Sequence, residues 1–344
     1  MLKPYLNKVV SGENLTAEEA QEAMAIVMGG QATPAQIGGY LVALRMKGET
    51  VDEIAGSAKA MRSVVEEVPI QDNSEPLLDT CGTGGDGSHS FNISTAAAFV
   101  IAGTGHRVAK HGNRAASSSC GSADVLAALG LNLDLTPKQV GECIDEVGIG
   151  FMFAPRFHPA MKHAIGPRKE LGLRTIFNIL GPLTNPARAT HQLLGVYDPA
   201  LTEPMADALG NLGLESAMVV HGHGGLDELT TSGPNTVSEL IDGQVRNYQL
   251  DPAQFGLDQQ LNGDLLGGGP GANAERMKKL LTNQDDTGLT EVVVLNAAAG
   301  LSLLHHDLEL GIKEASHSLE SGAAYQKLLD LVSLSRQFAS DGAG

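Results

Sequence analysis

From residue 77 onward the chain alternates short apolar runs with longer amphipathic stretches, and this alternation constrains its fold more than any other feature. Residues 77–80, 106–111, 148–154, 191–197 and 216–222 have strand length and each carries apolar residues, which makes them strand candidates. Residues 94–103, 122–130, 136–148 and 201–213 lie between or after them and read as helices. Such a pattern predicts an α/β domain with a mostly parallel central sheet flanked by helices. Ligands of such sheets sit at the carboxyl ends of the strands. One ribbon, residues 236–250, has Asp242-Gly243 at its centre and predicts a β-hairpin.

The first seventy residues differ. Thr16 with Glu19 and Thr50 with Glu53 are capping boxes, and Thr33 followed by Pro34 opens another helix. Three short capped helices predict a small helical N-terminal domain. A polar segment bounded by Pro69 and Pro76 reads as a linker. The expected division is therefore 1–72 as the small helical domain, joined by a returning helical segment near 165–187, and 73–344 as the larger α/β domain. At 344 residues two domains are the natural reading.

Composition narrows the partners. A net charge of −17 argues against a nucleic-acid partner and against an anionic membrane surface. No apolar run approaches a membrane span, and the N-terminus lacks the apolar core of a secretion signal. Three cysteines without a CxxC pair suit a reducing compartment and predict neither a disulfide framework nor a zinc site. A cytoplasmic protein is expected.

The densest chemical signal is DTCGTGGDG at residues 79–87, directly after a strand. Gly82, Gly84 and Gly85 let the backbone turn its N–H groups toward an anion. The segment from Asn92 to Thr95 leads into an Ala-rich helix, with Ser94 or Thr95 the expected N-cap. Gly82, Gly84 and Gly87 also match G-x-G-x-x-G, but the helix starts too late and the acidic residue that would hold a ribose is missing. No Gly-Lys-Ser/Thr triplet is present. Lys110, His111, Gly112, Asn113 and Arg114 then deliver two cations at a strand end. Ala115, Ala116 and the hydroxyls of Ser117, Ser118 and Ser119 follow, before a second helix N-terminus at Ser122. Two Gly/Ser-rich nests about one βαβ unit apart suggest a ligand with two phosphate groups. Asp227 and Glu228, after a strand, are hard oxygen donors suited to Mg²⁺. His221 and His223 lack a third ligand at convincing spacing. Arg168 lies in a Gly/Pro-marked stretch between the apparent domains, where a guanidinium can clamp a carboxylate; the bland alternative is a surface ion pair.

Taken in order, DTCGTGGD (79–86), FNIST (91–95), KHGNR (110–114), GSAD (121–124), RTIFNILGPLTNP (174–186) and Asp227-Glu228 resemble the anthranilate phosphoribosyltransferase family of tryptophan biosynthesis, over nearly the whole chain. The resemblance implies transfer of a phosphoribosyl group from phosphoribosyl pyrophosphate to anthranilate by a homodimer. It implies that Gly82, Gly85, Asp86, Ser90, Asn92, Ile93, Ser94, Thr95, Lys110, His111, Gly112, Asn113, Arg114, Ala115, Ala116, Ser117, Ser118 and Ser122 hold phosphoribosyl pyrophosphate. Ser94, Asp227 and Glu228 would bind magnesium, and Gly82, Asn113, His158, Arg168 and Pro182 would hold or wall anthranilate. The family pattern has Thr where this chain has Ser90; the hydroxyl survives. Pyrimidine nucleoside phosphorylases, similar in fold, carry a different phosphate loop. A non-catalytic nucleic-acid-binding relative would have lost the loops that are intact here.

Overall fold

The computed structural model describes residues 1–72, 74–115, 119–257, 262–285 and 287–341. Four helices open the chain: α1 (Lys3–Val10), α2 (Ala17–Met28), α3 (Pro34–Lys47) and α4 (Val51–Arg62). Thr16, Thr33 and Thr50 each accept an N3 amide, while Glu19, Gln36 and Glu53 return the bond to the cap residue. Capping signals predict only three of these helices. The fourth, α1, starts without a side-chain cap, so its first turn carries no polar signature.

The α/β part follows as β1 (Leu77–Gly82), α5 (Ile93–Gly103), β2 (Arg107–Gly112), α6 (Ser122–Leu129), α7 (Pro137–Val147) and β3 (Ile149–Phe153). The chain then forms α8 (Ala154–Phe157), α9 (Lys162–Leu171) and α10 (Phe177–Leu180). Pro167 lies inside α9, so the Gly/Pro-marked stretch that carries Arg168 is helical. Next come β4 (His191–Gly195), α11 (Thr202–Asn211), β5 (Ser216–His221) and the expected hairpin of β6 (Asn235–Ile241) and β7 (Gln244–Leu250). Asp242 and Gly243 both have positive φ, as a two-residue hairpin turn requires. Four helices complete the order: α12 (Pro270–Leu281), α13 (Leu289–His305), α14 (Leu308–Glu320) and α15 (Ala323–Asp341).

The sheet order is β3-β2-β1-β4-β5-β6-β7, parallel through β5 and antiparallel thereafter. Side chains of period two divide its faces. Ala217 and Val219 pack with α11 and the core of the opening helices, whereas Met218 and Val220 pack with Leu295, Ala299 and Leu303 of α13. The helical body therefore shares one continuous core with one sheet face, through α4 packed on α11. Helix α9 returns to that body against α2 and α3.

Strand order reverses between β1 and β4, which makes a crevice at their carboxyl ends. The two strands end in register, Gly82 opposite Gly195. A Cβ on Gly195 would lie 1.6 Å from the Asp227 carbonyl oxygen, and one on Gly82 would lie 2.4 Å from Asp227 Oδ2. Only bare backbone leaves room for the 227–228 segment at the switch point. Gly195→Ala is expected to cost about 1–3 kcal/mol by overpacking and to displace Asp227; a thermal melt matching wild type would contradict this.

Candidate active site

The loop after β1 is shaped by Gly84, Gly85 and Gly87, with φ of +67°, +78° and +77°. Its Gly84 amide donates to Asp227 Oδ2 at 2.6 Å. Asp86 accepts from the Ser88 amide through Oδ1 and from the Asp227 amide through Oδ2, at 3.0 and 3.3 Å. Ser90 forms an isolated bridge with Leu266. Helix α5 starts earlier than its hydroxyls suggest: the N-cap is Asn92 and Ile93 is the first helical residue. Ser94 and Thr95 lie inside the first turn because Asn92 takes the flanking position. The Asn92 side chain, rather than capping, donates to the Cys120 carbonyl at 3.1 Å and accepts from Asn273 at 3.0 Å. It thereby ties the first loop to the second. The Ser94 amide, one of the uncapped donors of the helix start, donates to Glu228 Oε1 at 3.1 Å.

Strand β2 brings Lys110 beneath this loop. The residue is buried, and its ammonium donates to the Thr80 carbonyl and to Ser94 Oγ. Beyond β2, Asp124 organises the second loop. It accepts from the amides of Ala115 and Gly121 at 2.9 and 3.0 Å and from Arg114 Nη1 at 2.8 Å. Burial works against this carboxylate, but those amides and Arg114 outweigh it and hold its pKa below the ordinary value. Arg114 also lies over the Phe153 ring, 5.6 Å from its centroid. A Cβ on Gly112 would fall 2.2 Å from Ser122 Oγ, and the Asn113 carbonyl accepts from Ala123 N and Ser122 Oγ. Ala116, Ser117 and Ser118 lie outside the described residues.

Asp227 and Glu228 are each 8% exposed and adjacent. Burial, then the Glu228 charge and then Asp86, push Asp227 well above the usual carboxylate range. Burial raises Glu228 to about 7, against the nearby Lys110 charge. Buried like charges of this kind want a cation, and hard carboxylate oxygens suit Mg²⁺. Among the described residues no three His, Cys, Asp or Glu side chains converge as a metal cage. The residues present fit a magnesium ion by the chemistry of their hard oxygen donors. His221 points elsewhere, its Nδ1 2.8 Å from the Val196 carbonyl oxygen.

An apolar and imidazole-lined wall adjoins the end of β2. The His111 and His158 rings meet Nε2 to Nε2 at 3.2 Å, and both are buried. Burial lowers both pKa values, His158 to about 4, and His111 well below the usual imidazole range with help from the His158 and Lys110 charges. Pro182 is buried in a short 3-10 turn, its carbonyl accepting from Gln192 Nε2 at 2.8 Å. Arg168 is half-buried over the Phe177 ring, 5.1 Å from its centroid. Among the described residues it has no carboxylate partner and no hydrogen bond to the loops after β1 and β2.

Sequence reasoning passes over several supporting residues. Asp79, fully buried, accepts from His111 N, Asn185 Nδ2 and Gln192 Nε2 at 3.2, 2.8 and 3.3 Å, fixing β1 and β2 behind the loops. Asn296 on α13 brackets Leu229, accepting from its amide at 3.0 Å and donating to its carbonyl at 2.8 Å, and so holds the acidic pair from behind. Buried amides on elements remote in sequence carry no local pattern by which to find them.

The neutral histidine pair has a consequence for stability. Between pH 6.5 and about 4 the unfolded chain binds a proton at residue 158 that the folded chain does not, so His158 costs stability as pH falls through this window. His158→Gln should therefore flatten the acid limb of a stability-versus-pH curve by about 1.4 kcal/mol per pH unit. Parallel curves for the two proteins in chemical denaturation would contradict the assignment.

With this geometry in place, comparison with known proteins is specific. The profile of the glycosyl transferase family helical bundle domain matches residues 3–64, and that of the glycosyl transferase family a/b domain matches residues 74–325. Anthranilate phosphoribosyltransferase from Acetivibrio thermocellus is 52% identical over 342 residues, covering 99% of this chain and 98% of that one. Its namesake from Symbiobacterium thermophilum is 52% identical over 329 residues, with 95% and 96% covered. The crystal structure of the Thermus thermophilus enzyme superposes with a TM-score of 0.91 at 46% identity, covering 96% of this chain and 99% of that one. The Saccharomyces cerevisiae enzyme in complex with PRPP and Mg gives 0.89 at 29% identity, with 98% of each chain covered. Full-length identity near one half, with both domain profiles matched in order, leaves one assignment: the chain belongs to the anthranilate phosphoribosyltransferase family.

Proposed function

We propose that this chain transfers the phosphoribosyl group of phosphoribosyl pyrophosphate to the amine of anthranilate, releasing pyrophosphate. The observation that carries this reading is the set of hydrogen bonds that joins the 82–95 loop to Lys110, to Cys120 and to the 227–228 carboxylates. Neither a nucleoside phosphorylase nor a nucleic-acid-binding role is favoured by relatives of this identity and coverage.

In this reading the amides of the Gly82–Gly87 loop and the start of α5 cradle the diphosphate, and the second loop takes the remaining phosphate. Ser94, Asp227 and Glu228 would hold magnesium, which when bound neutralises charge on the departing diphosphate. Lys110 adds fixed positive charge directly behind Ser94, where it acts without surface screening. Arg168, lacking a carboxylate of its own, accepts that of anthranilate, while neutral His111 and His158 with Pro182 wall the ring. The amine of anthranilate is neutral at pH 7, so its lone pair needs no strong base. Positioning and leaving-group stabilisation carry the rate. Burial raises the pKa of all three cysteine thiols, which suits none of them as a nucleophile.

The division at 1–72 and 73–344, with 165–187 returning to the small body, is part of the same reading, supported by α9 packing on α2 and α3. A homodimer is proposed through the helical body, where Val10, Met46 and Ile165 are exposed apolar residues on α1, α3 and α9. Among the described residues no helix is long and apolar enough to cross a membrane. Three buried free thiols support a reducing, cytoplasmic setting.

Anthranilate fluorescence should disappear on mixing enzyme with phosphoribosyl pyrophosphate and Mg²⁺, and persist when Mg²⁺ is chelated. In that assay Arg168→Ala should raise the KM for anthranilate at least about tenfold, with little change for the other substrate. Persistent fluorescence with all components present would refute the activity. Equal effects on both KM values would remove Arg168 from its role.

A further inference from the structure

Arg174 takes no part in the mechanism above, yet three separate pieces of the fold meet at it. It lies in the connection between α9 and α10. Its guanidinium covers the Tyr197 ring, 4.4 Å from the centroid, and donates from Nη2 to the Gly85 carbonyl. Its own carbonyl accepts from Arg45 Nη1 at 2.8 Å, in the last turn of α3. Tyr197, just beyond β4, donates its amide to Thr83 Oγ1 at 3.2 Å. The loop is thus tied at Thr83 by the main chain of Tyr197 and at Gly85 by a guanidinium stacked on the same tyrosine. Gly85 suits this contact twice over: its φ is +78°, and a Cβ there would fall 3.1 Å from Arg174 Nη2.

A peptide unit is planar, so the Gly85 carbonyl and the Asp86 N–H point in opposite directions. Whatever holds the carbonyl therefore aims the amide. Arginine is the side chain that stacks on a ring face and donates along a fixed direction at once; lysine donates without the planar stack.

We propose that Arg174 is a positioning residue for the diphosphate. Held between Tyr197 and Arg45, it turns the peptide after Gly85 so that its amide serves the cradle, and it couples the seating of the helical body to diphosphate affinity. This rests on the reading of residues 82–87 as the diphosphate cradle.

Steady-state kinetics of the full-length enzyme separate the outcomes. Arg174→Ala and Tyr197→Ala should each raise the KM for phosphoribosyl pyrophosphate about tenfold, the effect of losing one charged hydrogen bond. The KM for anthranilate should stay within about twofold. Tyr197→Phe keeps the ring face and should behave as wild type, and Arg174→Lys should fall between wild type and Arg174→Ala. The Arg174→Ala/Tyr197→Ala double variant should be no worse than Arg174→Ala alone, because the two side chains act as one unit. An unchanged KM in Tyr197→Ala, additive effects in the double variant, or equal changes in both KM values would each overturn the proposal. Wild-type enzyme without phosphoribosyl transfer would instead overturn the functional reading on which it rests.

Discussion

Asp227 sits where β1 and β4 part, its main chain against Gly195 and its carboxylate against Gly82 and the Gly84 amide. A Cβ at either strand end would meet Asp227, so two glycines in register decide how close the acidic segment comes to the loop after β1. Strand order supplies the crevice, and these contacts fill its floor. Asp86 closes the arrangement from the other side by accepting the Asp227 amide. Moving Asp227 would release Gly84, the Asp86 bond and the placement of Glu228 against α5 together.

Burying two carboxylates side by side, with Asp86 near, is costly, and the fold offsets the cost only in part. Asp227 receives one amide, and Glu228 receives the amide of Ser94 at a helix start. Lys110 stands close enough to oppose the rise of Glu228, but it is itself buried and spends its donors on Thr80 and Ser94. The raised pKa values of the acidic pair express the remaining imbalance. A cation bound between the two carboxylates would relieve it.

Much of this architecture is legible in the residues themselves. Parallel strands buried on both faces have little freedom to be polar, which is why residues 148–154 stand out at once. Asp242-Gly243 announces its turn because both positions need positive φ. Capping boxes mark the starts of α2 and α4, and Thr33 followed by Pro34 marks that of α3. Helix α5 shows the limit: two hydroxyl residues look like caps, but Asn92 takes the position because its side chain bridges the two loops. Asn185, Gln192, Asn296 and Arg174 were hidden for a related reason. Each acts on a partner far away in the chain, 89 residues in the case of Arg174 and Gly85, and no local periodicity records such a contact.

The central claim is that Glu228 awaits a positive charge. A ¹³C NMR titration of side-chain-labelled glutamate, with the Glu228 signal assigned by its loss in Glu228→Gln, measures this directly. In the free protein the signal should titrate near 7, and with Mg²⁺ and pyrophosphate bound its midpoint should fall to the ordinary glutamate range or below. A free-protein midpoint already in that range, unmoved by metal and diphosphate, would contradict the account.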